Sequence, residues 1–288
     1  VGDLGGFAAS IWMRGIDWAN VPTTLLAQVD SSIGGKTAVN LKAGKNLVGS
    51  FHRPRAVVTD VRFLLTLPEE EFRQGLAEMA KYALLGERGL EELLRGETDA
   101  LLERDLDVLG EAVSMSLRCK LLYVEEDPEE RMGLRVCLNL GHTLGHALEA
   151  ASGYSLRHGE AVAIGLGFAL HVSRSLGLCD RGFVERGLSL VEQLGLPTST
   201  SVPWERVWPY MLRDKKFVRS RCNMVLPTPD GPRLVRDIAP EVLREAYSWV
   251  FAGEADPILS SRDGVGAEDL EEGAKGPHLL QSPSNALL

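Results

Sequence analysis

The sequence predicts an α/β segment over residues 1–67, followed by a mainly α-helical domain over residues 68–251. Short β-branched and apolar runs between Gly and Pro residues indicate strands in the first part. From Pro68 onward, long stretches carry apolar residues at helical spacing. Residues 252–288 are rich in Gly, Ser, Pro and acidic residues without an apolar period, so we expect a disordered acidic tail there.

In the α/β segment, Gly and Pro residues separate four predicted elements. Asp3 is placed as the N-cap of the first helix, because its carboxylate can accept hydrogen bonds from the first turn. Gly34 and Gly35 are placed at the end of the second helix, since glycine adopts the left-handed conformation that ends helices. The predicted elements are a helix over 3–14, a strand within 16–22, a helix over 23–35 and a strand over 55–61.

In the helical domain, Pro68 followed by three glutamates is typical of a helix start. Proline lacks the N–H that would be left unpaired there, and acidic residues favour the positive end of the helix dipole. The segment TPDGP marks a turn between two short strands. The further predicted elements are helices at about 103–126, 135–152, 159–176, 180–195, 204–213 and 239–251, and a hairpin pairing 222–227 with 233–236.

The composition is that of an ordinary globular protein, with 288 residues, 44% hydrophobic and 25% charged. The tail holds seven acidic and two basic residues, so it accounts for five of the nine net negative charges. The absence of a basic patch with interleaved aromatic residues argues against a nucleic-acid partner. Because neither an apolar run of 18 residues nor a signal sequence is present, no membrane span is expected. The four scattered cysteines fit a reducing compartment, so we expect a cytoplasmic location.

A polar stripe runs along the helix predicted over 135–152. Its members are spaced by four, three, four and three residues, which places them on one face of a helix. Leucines between them would form an ordinary buried surface, so core packing does not explain the stripe. The stripe consists of Arg135, Asn139, His142, His146 and Glu149.

Three of the six histidines, His142, His146 and His158, fall within 17 residues. Imidazole nitrogens with one carboxylate are the usual ligands of a catalytic divalent metal that keeps an open position. His142 and His146 lie one turn apart and reach the same point, and their spacing alone does not say which of them binds metal. His158 starts a helix, so its ring can project toward the stripe. Glycines that would let these helices approach closely are Gly141, Gly145, Gly159, Gly165 and Gly167.

Several basic residues accompany the histidines. Lys36 and Lys45 are predicted to lie in glycine-bearing loops, where backbone N–H groups and an ammonium can jointly hold a phosphate. A single lysine is more often solvated than functional, so this pattern alone does not define a ligand. The other basic residues considered are Lys81, Lys120, Arg135, Lys215 and Lys216.

Six motifs follow one another along residues 1–251: VGDLGGFAAS, RGIDWANVPTTLLAQVDSSIGGKTAVNLKAGKNLVGSF, GLAEMAKYALL, LNLGHTLGHALE, RHGEAVAIG and DKKF. Together they resemble the 3-dehydroquinate synthase family. The resemblance implies a homodimeric cyclase that depends on NAD and on zinc or cobalt, in the shikimate pathway of aromatic amino-acid biosynthesis. It would convert 3-deoxy-D-arabino-heptulosonate 7-phosphate into 3-dehydroquinate plus phosphate, which makes it a carbon–oxygen lyase.

The resemblance also implies what each domain does. Residues 1–67 would be the C-terminal part of an NAD-binding α/β domain, and residues 68–251 a helical domain that binds metal and substrate. Because the first residue is Val and the family's upstream nucleotide-binding half has no counterpart, we expect an N-terminally truncated remnant. Such a chain is expected to hold metal while binding NAD weakly and showing little cyclase activity.

Position by position, the resemblance assigns a role to individual residues. The implied metal ligands are Glu78, His142 and His158. The implied NAD contacts are Gly2, Asp3, Thr23, Thr24, Lys36, Lys45, Phe63, Leu64, Leu65 and Thr66. The implied substrate and catalytic contacts are Asp30, Lys36, Asn46, Lys81, Lys120, Arg135, Asn139, His146, Lys215 and Lys216, with Arg14 reaching into the neighbouring subunit. His146 would then take part in proton transfer rather than bind metal.

Three other interpretations stay open. A related sugar-phosphate cyclase that makes 2-deoxy-scyllo-inosose or a valiolone would differ where the substrate carboxylate binds, so Arg135, Asn139 and His146 favour dehydroquinate. A metal-dependent polyol dehydrogenase would release NADH, whereas a cyclase returns its hydride. A non-catalytic paralogue would have no need of all three ligands and the lysines.

Overall fold

A computed structural model describes residues 1–41, 44–127, 133–213, 217–218 and 221–252, with the backbone alone at 44–45 and 217–218. The first part is α/β in character, as predicted. It begins with helix α1 (Gly2–Ile11), followed by two pairs of strands. The strands are β1 (Ala19–Asn20), parallel to β4 (Ala56–Val57), and β2 (Lys36–Leu41), antiparallel to β3 (Gly44–Phe51).

The β2–β3 hairpin corrects the prediction that Lys36 and Lys45 lie in glycine-bearing loops. Lys36 is the first residue of β2, and Lys45 is the second residue of β3. Gly34 and Gly35 adopt φ values of 101° and 68° and turn the chain directly into β2. The two glycines therefore start a hairpin instead of opening a phosphate-binding loop.

The other elements of this segment are shorter than predicted. Helix α1 begins at Gly2, so Asp3 lies in its first turn and is not its N-cap. Within the helix predicted over 23–35, a π-helical turn covers Ala27–Ser31. The strand predicted over 55–61 is reduced to β4, because its partner β1 offers only two residues for pairing.

The described part of the second region contains nine α-helices, one 3₁₀ helix and one small antiparallel sheet, so the mainly helical character is confirmed. The sheet has the order β5-β6-β7 and includes the predicted hairpin. Helices α3 and α4 and strand β5 were not predicted. The elements are α2 (Glu69–Leu84), α3 (Arg88–Gly96), α4 (Thr98–Leu102), α5 (Leu106–Glu126), α6 (His142–Ala151), α7 (His158–Ser175), α8 (Arg181–Gln193), α9 (Trp204–Met211), β5 (Phe217–Val218), β6 (Arg221–Leu226), β7 (Arg233–Ile238) and α10 (Pro240–Ser248).

Local sequence explains where these helices start. Three glutamates follow Pro68 in the first turn of α2. The carboxylate of Asp105 accepts hydrogen bonds from two backbone N–H groups at the start of α5. The carboxylate of Asp180 accepts one such hydrogen bond at the start of α8. Such caps satisfy N–H groups that have no partner within the helix.

The helix predicted over 135–152 is broken in two. A 3₁₀ helix covers Arg135–Asn139, and α6 starts at His142. Between them, Leu140 is extended and Gly141 adopts a φ of 78°, a left-handed conformation that favours glycine. Because of this break, Arg135 and Asn139 lie on the 3₁₀ helix, whereas His142, His146 and Glu149 lie on α6, so the polar stripe does not run along one continuous helix.

Helix α7 is the centre of the core, with every residue from 161 to 173 buried. It packs against α2, α6, α8 and α10. Glycine makes the closest of these contacts, because a Cβ at Gly165 would lie 1.9 Å from the carbonyl oxygen of Gly141, and one at Gly159 would lie 2.6 Å from the backbone of Gln74. The prediction that these glycines permit close helix packing is confirmed.

We expect Gly165→Ala to destabilise the fold by about 3 kcal/mol, the upper end of the range for overpacking a core. The added methyl group would meet a backbone carbonyl that no rotamer change can move. Gly110→Ala is the matched control, because a Cβ at Gly110, in α5, would point into open space and alanine favours the helix by about 0.5–1 kcal/mol. Urea unfolding of both variants measures the difference; equal stability would contradict the contact between α6 and α7.

Some predictions fall outside the described residues: those for Lys215 and Lys216, for the side chain of Lys45, and for the tail beyond residue 252. Within the part that is described, none of the helices is both long enough and apolar enough to cross a lipid bilayer.

Candidate metal and substrate site

Three helices bring one carboxylate and two imidazoles together. Glu78 lies in the middle of α2, while His142 and His158 are the first residues of α6 and α7. One ligand atom from each lies within 4.8 Å of the other two. The Nε2 atoms of His142 and His158 are 3.5 Å and 3.7 Å from Oε1 of Glu78. We call these three residues the triad.

The chemistry of the triad fits a zinc-type metal ion. Oε1 of Glu78 is buried and accepts no hydrogen bond from the described part of the chain, which is costly unless a cation binds there. Nδ1 of His142 lies 3.0 Å from the carbonyl oxygen of Leu140, so that this nitrogen donates and Nε2 keeps its lone pair facing the triad. Two imidazole nitrogens and one carboxylate oxygen are a common ligand set for catalytic zinc.

Burial and neighbouring charges move the pKa values of the triad in different directions. Burial, reinforced by the Lys81 ammonium, lowers the pKa of His142 to about 3. Burial would also lower the pKa of His158, but the carboxylates of Glu149 and Glu78 outweigh it and raise that pKa to about 10. Burial would raise the pKa of Glu78, but Lys81 outweighs it and holds that pKa at about 2.

A network of buried charges adjoins the triad. Lys81, which is 1% exposed, forms an ion pair with Glu78 and lies 3.7 Å from Oδ1 of Asp30. Lys120, on α5, lies 2.7 Å from the same oxygen, and the Tyr82 hydroxyl donates a hydrogen bond to it over 2.8 Å. Burial would raise the pKa of Asp30, but the two ammonium groups hold it well below its usual range. The network places two ammonium groups beside the triad.

Asp30→Asn tests this network. We expect it to destabilise the fold by about 3 kcal/mol at neutral pH, because it breaks the ion pair with Lys120. This value is the lower end of the range for breaking a buried ion pair, and we choose it because the Asp30 side chain is 28% exposed. The pKa of Asp30 is lowered on folding, so its stabilising effect is present above the unfolded pKa of about 3.9 and is lost as the pH falls below it.

Urea unfolding at several pH values measures both effects. The difference between the parent and Asp30→Asn is expected to shrink from neutral pH toward about pH 2. Asp17→Asn is the control, because Asp17 pairs with Arg55 at a site where both side chains are more than two thirds exposed, and it is expected to cost less than about 1 kcal/mol. A difference that grew on acidification would contradict the lowered pKa.

Arg135 and His146, two other members of the polar stripe, differ in burial. Arg135 is 3% exposed, and its guanidinium donates a hydrogen bond to the carbonyl oxygen of Gly34 over 3.3 Å. A Cβ at Gly34 would lie 2.2 Å from that guanidinium, so only glycine leaves room for it. His146 is exposed, with its ring centroid 5.4 Å from that of His142 and 6.3 Å from that of His158. His146 therefore lies beside the triad and not within it.

Several residues implied to contact NAD lie at helix starts. Gly2 and Asp3 form the first turn of α1, where burial raises the pKa of Asp3. Thr23 is exposed, and the Thr24 hydroxyl accepts a hydrogen bond from the backbone N–H of Ala27 over 3.2 Å. The FLLT segment is a 3₁₀ helix in which Phe63 and Leu65 are 44% and 50% exposed and Thr66 is exposed, whereas Leu64 is buried in the core.

The remaining implied site residues belong to different surroundings. Lys36, Asn46 and Arg14 are exposed, unlike the buried charges around Asp30. The backbone N–H of Asn46, at a φ of 56°, donates to the side chain of Asn40 within the hairpin. Asn139 is half-buried at the end of the 3₁₀ helix that carries Arg135.

The site is supported by three residues to which the sequence patterns assign no role. Tyr82 is fully buried and donates to Asp30, 52 residues upstream. Gln74 accepts a hydrogen bond from the backbone N–H of Gly159 over 2.5 Å and so ties the start of α7 to α2. Glu149, a stripe member without an assigned role, contacts His158. The contacts of Tyr82 and Gln74 join residues 52 and 85 positions apart, so no local spacing could reveal them. Glu149 and His158 lie on consecutive helices, nine residues apart.

Solved structures with this fold include two cyclases that are more than a quarter identical to the chain. One is the 2-epi-5-epi-valiolone synthase of Streptomyces hygroscopicus subsp. jinggangensis 5008 with NAD+ and Zn2+ bound, which is 28% identical to the chain. The match has a TM-score of 0.77 and covers 85% of this chain and 69% of that one. The other is a 2-deoxy-scyllo-inosose synthase complexed with carbaglucose-6-phosphate, NAD+ and Co2+, which is 26% identical to the chain. This match has a TM-score of 0.74 and covers 85% of this chain and 70% of that one. The chain therefore has the sugar-phosphate cyclase fold.

Sequence comparison defines the family within this fold. Residues 1–74 match the family model of the 3-dehydroquinate synthase N-terminal domain, and residues 75–217 match that of the C-terminal domain. The 3-dehydroquinate synthase of Halorhodospira halophila is 46% identical over 85% of this chain and 70% of its own length. That of Dictyoglomus thermophilum is 45% identical over 80% of this chain and 65% of its own. The chain belongs to the 3-dehydroquinate synthase family, and it spans about two thirds of the length of these relatives.

Proposed function

We propose that this chain forms the metal- and substrate-binding part of a 3-dehydroquinate synthase. The reaction converts 3-deoxy-D-arabino-heptulosonate 7-phosphate into 3-dehydroquinate and phosphate. The observation that carries the proposal is the triad of Glu78, His142 and His158 beside the buried ammonium groups of Lys81 and Lys120. Such an arrangement suits a substrate that offers a hydroxyl to a metal and anionic groups to cations.

Each part of the substrate has a matching group. A guanidinium binds a carboxylate with two parallel hydrogen bonds, which suits Arg135, and lysines neutralise phosphate as point charges. Glu78, His142 and His158 would hold the metal ion. When bound, zinc supplies a Lewis acid at the substrate hydroxyl, and NAD takes up and returns a hydride. His146, whose ring is exposed beside the triad, would accept and return a proton as phosphate leaves.

The residues implied to bind NAD suit that cofactor in two respects. The start of α1 presents backbone N–H groups, which attract phosphate oxygens. Phe63 and Leu65 leave apolar surface exposed, against which a flat ring can pack. We assign residues 1–67 to the nucleotide-binding domain and residues 68–251 to the metal- and substrate-binding domain.

The proposal extends to a cytoplasmic homodimer. Arg14 is exposed beside three apolar side chains, Ile11, Trp12 and Met13, which are 63%, 66% and 75% exposed. A second subunit would cover this surface and receive Arg14. Sedimentation equilibrium of the natural protein tests this association, and a monomer at micromolar concentration would contradict it.

Phosphate release and product identification test the proposed activity. With the heptulosonate phosphate, NAD and zinc, the natural protein is expected to release one phosphate per 3-dehydroquinate, without net formation of NADH. Accumulation of NADH would indicate a polyol dehydrogenase. Turnover of a sugar phosphate without a carboxylate, in place of the heptulosonate phosphate, would indicate a cyclase of the other kind.

Arg135→Ala is expected to weaken substrate binding by about 1.5–3 kcal/mol, the range for a hydrogen bond to a charged group. Metal content should be unchanged, because Arg135 is not part of the triad. Arg118→Ala, which removes an exposed arginine from α5, is the control and should bind substrate like the parent. Calorimetric titration with the substrate measures both variants; equal binding in all three proteins would place the carboxylate elsewhere.

A further inference from the structure

Glu149 lies on α6, two turns after His142, and its side chain is 5% exposed. Its Oε2 atom is 3.4 Å from Nδ1 of His158, at the start of α7. The opposite nitrogen of the same ring, Nε2, faces Glu78. The imidazole of His158 is therefore placed between two carboxylates from two other helices.

The two imidazoles of the triad are held in different ways. Nδ1 of His142 is paired with a carbonyl oxygen two residues earlier in its own chain, which local backbone geometry supplies. Nδ1 of His158 has a carboxylate partner from another helix.

We infer that Glu149 is a positioning residue for the metal site: it fixes the orientation and tautomer of His158 so that Nε2 points at the metal. A histidine ligand usually donates its second ring N–H to such a partner, which also makes the ligating nitrogen more basic. The inference rests on the metal site proposed above. It predicts that the Glu149 carboxylate strengthens metal binding without touching the metal.

Zinc affinity, measured by competition with a chelating dye, tests this role. Glu149→Ala is expected to weaken zinc binding about 10-fold to 100-fold, the usual effect of losing such a partner. Glu149→Gln keeps an acceptor oxygen but loses the charge, so a smaller loss is expected. Glu71→Gln is the matched control: Glu71 pairs with Arg157, next to His158, but touches neither ring of the triad, so zinc affinity should stay within about twofold of the parent.

Two further measurements separate positioning from a merely structural role. The visible absorption of bound Co2+ is expected to change in Glu149→Ala and to return toward the parent spectrum in Glu149→Gln. The melting temperature of the metal-free protein should change little in Glu149→Gln, while the rise on adding zinc becomes smaller. If Glu149→Ala does not fold, the Gln variant decides the question by the same measurements.

Several results would overturn the inference. Zinc affinities of both Glu149 variants within twofold of the parent would show that the carboxylate does not position His158. An equal loss in Glu71→Gln would show a general effect of charge. Failure of the parent protein itself to bind zinc would instead overturn the metal site, which distinguishes the two failures.

Discussion

His142→Ala is expected to abolish stoichiometric zinc binding. The substitution removes one of three ligands and leaves the buried Glu78 carboxylate with a single imidazole partner. The measurement is the metal content of the protein after dialysis, expected to fall from about one zinc per chain to near zero. Turnover should be lost together with the metal.

His171→Ala is the matched control for this loss. His171 is also a buried histidine, on α7, where burial lowers its pKa to about 4 and its ring stacks on Trp249 with centroids 5.5 Å apart. It is not a member of the triad. The control should therefore retain zinc, and full zinc content in His142→Ala would contradict the ligand assignment.

His146→Ala is expected to keep its metal but to slow turnover by about a hundredfold or more, the usual effect of removing a positioned acid or base. The ring lies next to the triad but is exposed, as a group that exchanges protons with substrate and solvent must be. Metal content and turnover, measured on the same sample, separate the two effects. Loss of zinc from this variant would reverse the roles assigned to His142 and His146.

The sequence predicts best those elements that short-range signals determine. Pro68 and its three glutamates mark the start of α2, as predicted. Asp105 and Asp180 cap α5 and α8 by contacts within three residues, a short-range signal that the predicted bounds of these helices do not use. The β6–β7 hairpin has its own turn signal in TPDGP. Caps and turns are short-range contacts, so a single sequence contains the information needed to place them.

The break at Leu140 and Gly141 could not be predicted from periodicity. The 3₁₀ helix and α6 continue the apolar spacing across the break, so the pattern is that of one helix. Its cause is tertiary, since the backbone of Gly141 packs against Gly165 of α7. The β2–β3 hairpin was missed for a related reason: the many glycines of this stretch suggest loops until the pairing of Lys36 with Phe51 is known.

The site was predictable in its residue types but not in its geometry. The spacing of His142 and His146 left open which of them faces a metal, and the start of α6 after Gly141 brings His142 to Glu78. The polar stripe includes Glu149, but no pattern in the sequence indicates its contact with His158 or the hydrogen bond from Tyr82 to Asp30, because each contact joins two separate elements.

The central claim is that Glu78, His142 and His158 hold one metal ion while His146 does not bind it. An anomalous difference map at the zinc absorption edge, from crystals of the natural protein grown with zinc, tests this most directly. We expect a single peak about 2.0–2.2 Å from Nε2 of His142, Nε2 of His158 and a carboxylate oxygen of Glu78. A peak ligated by His146, or no peak between α2, α6 and α7, would contradict the claim.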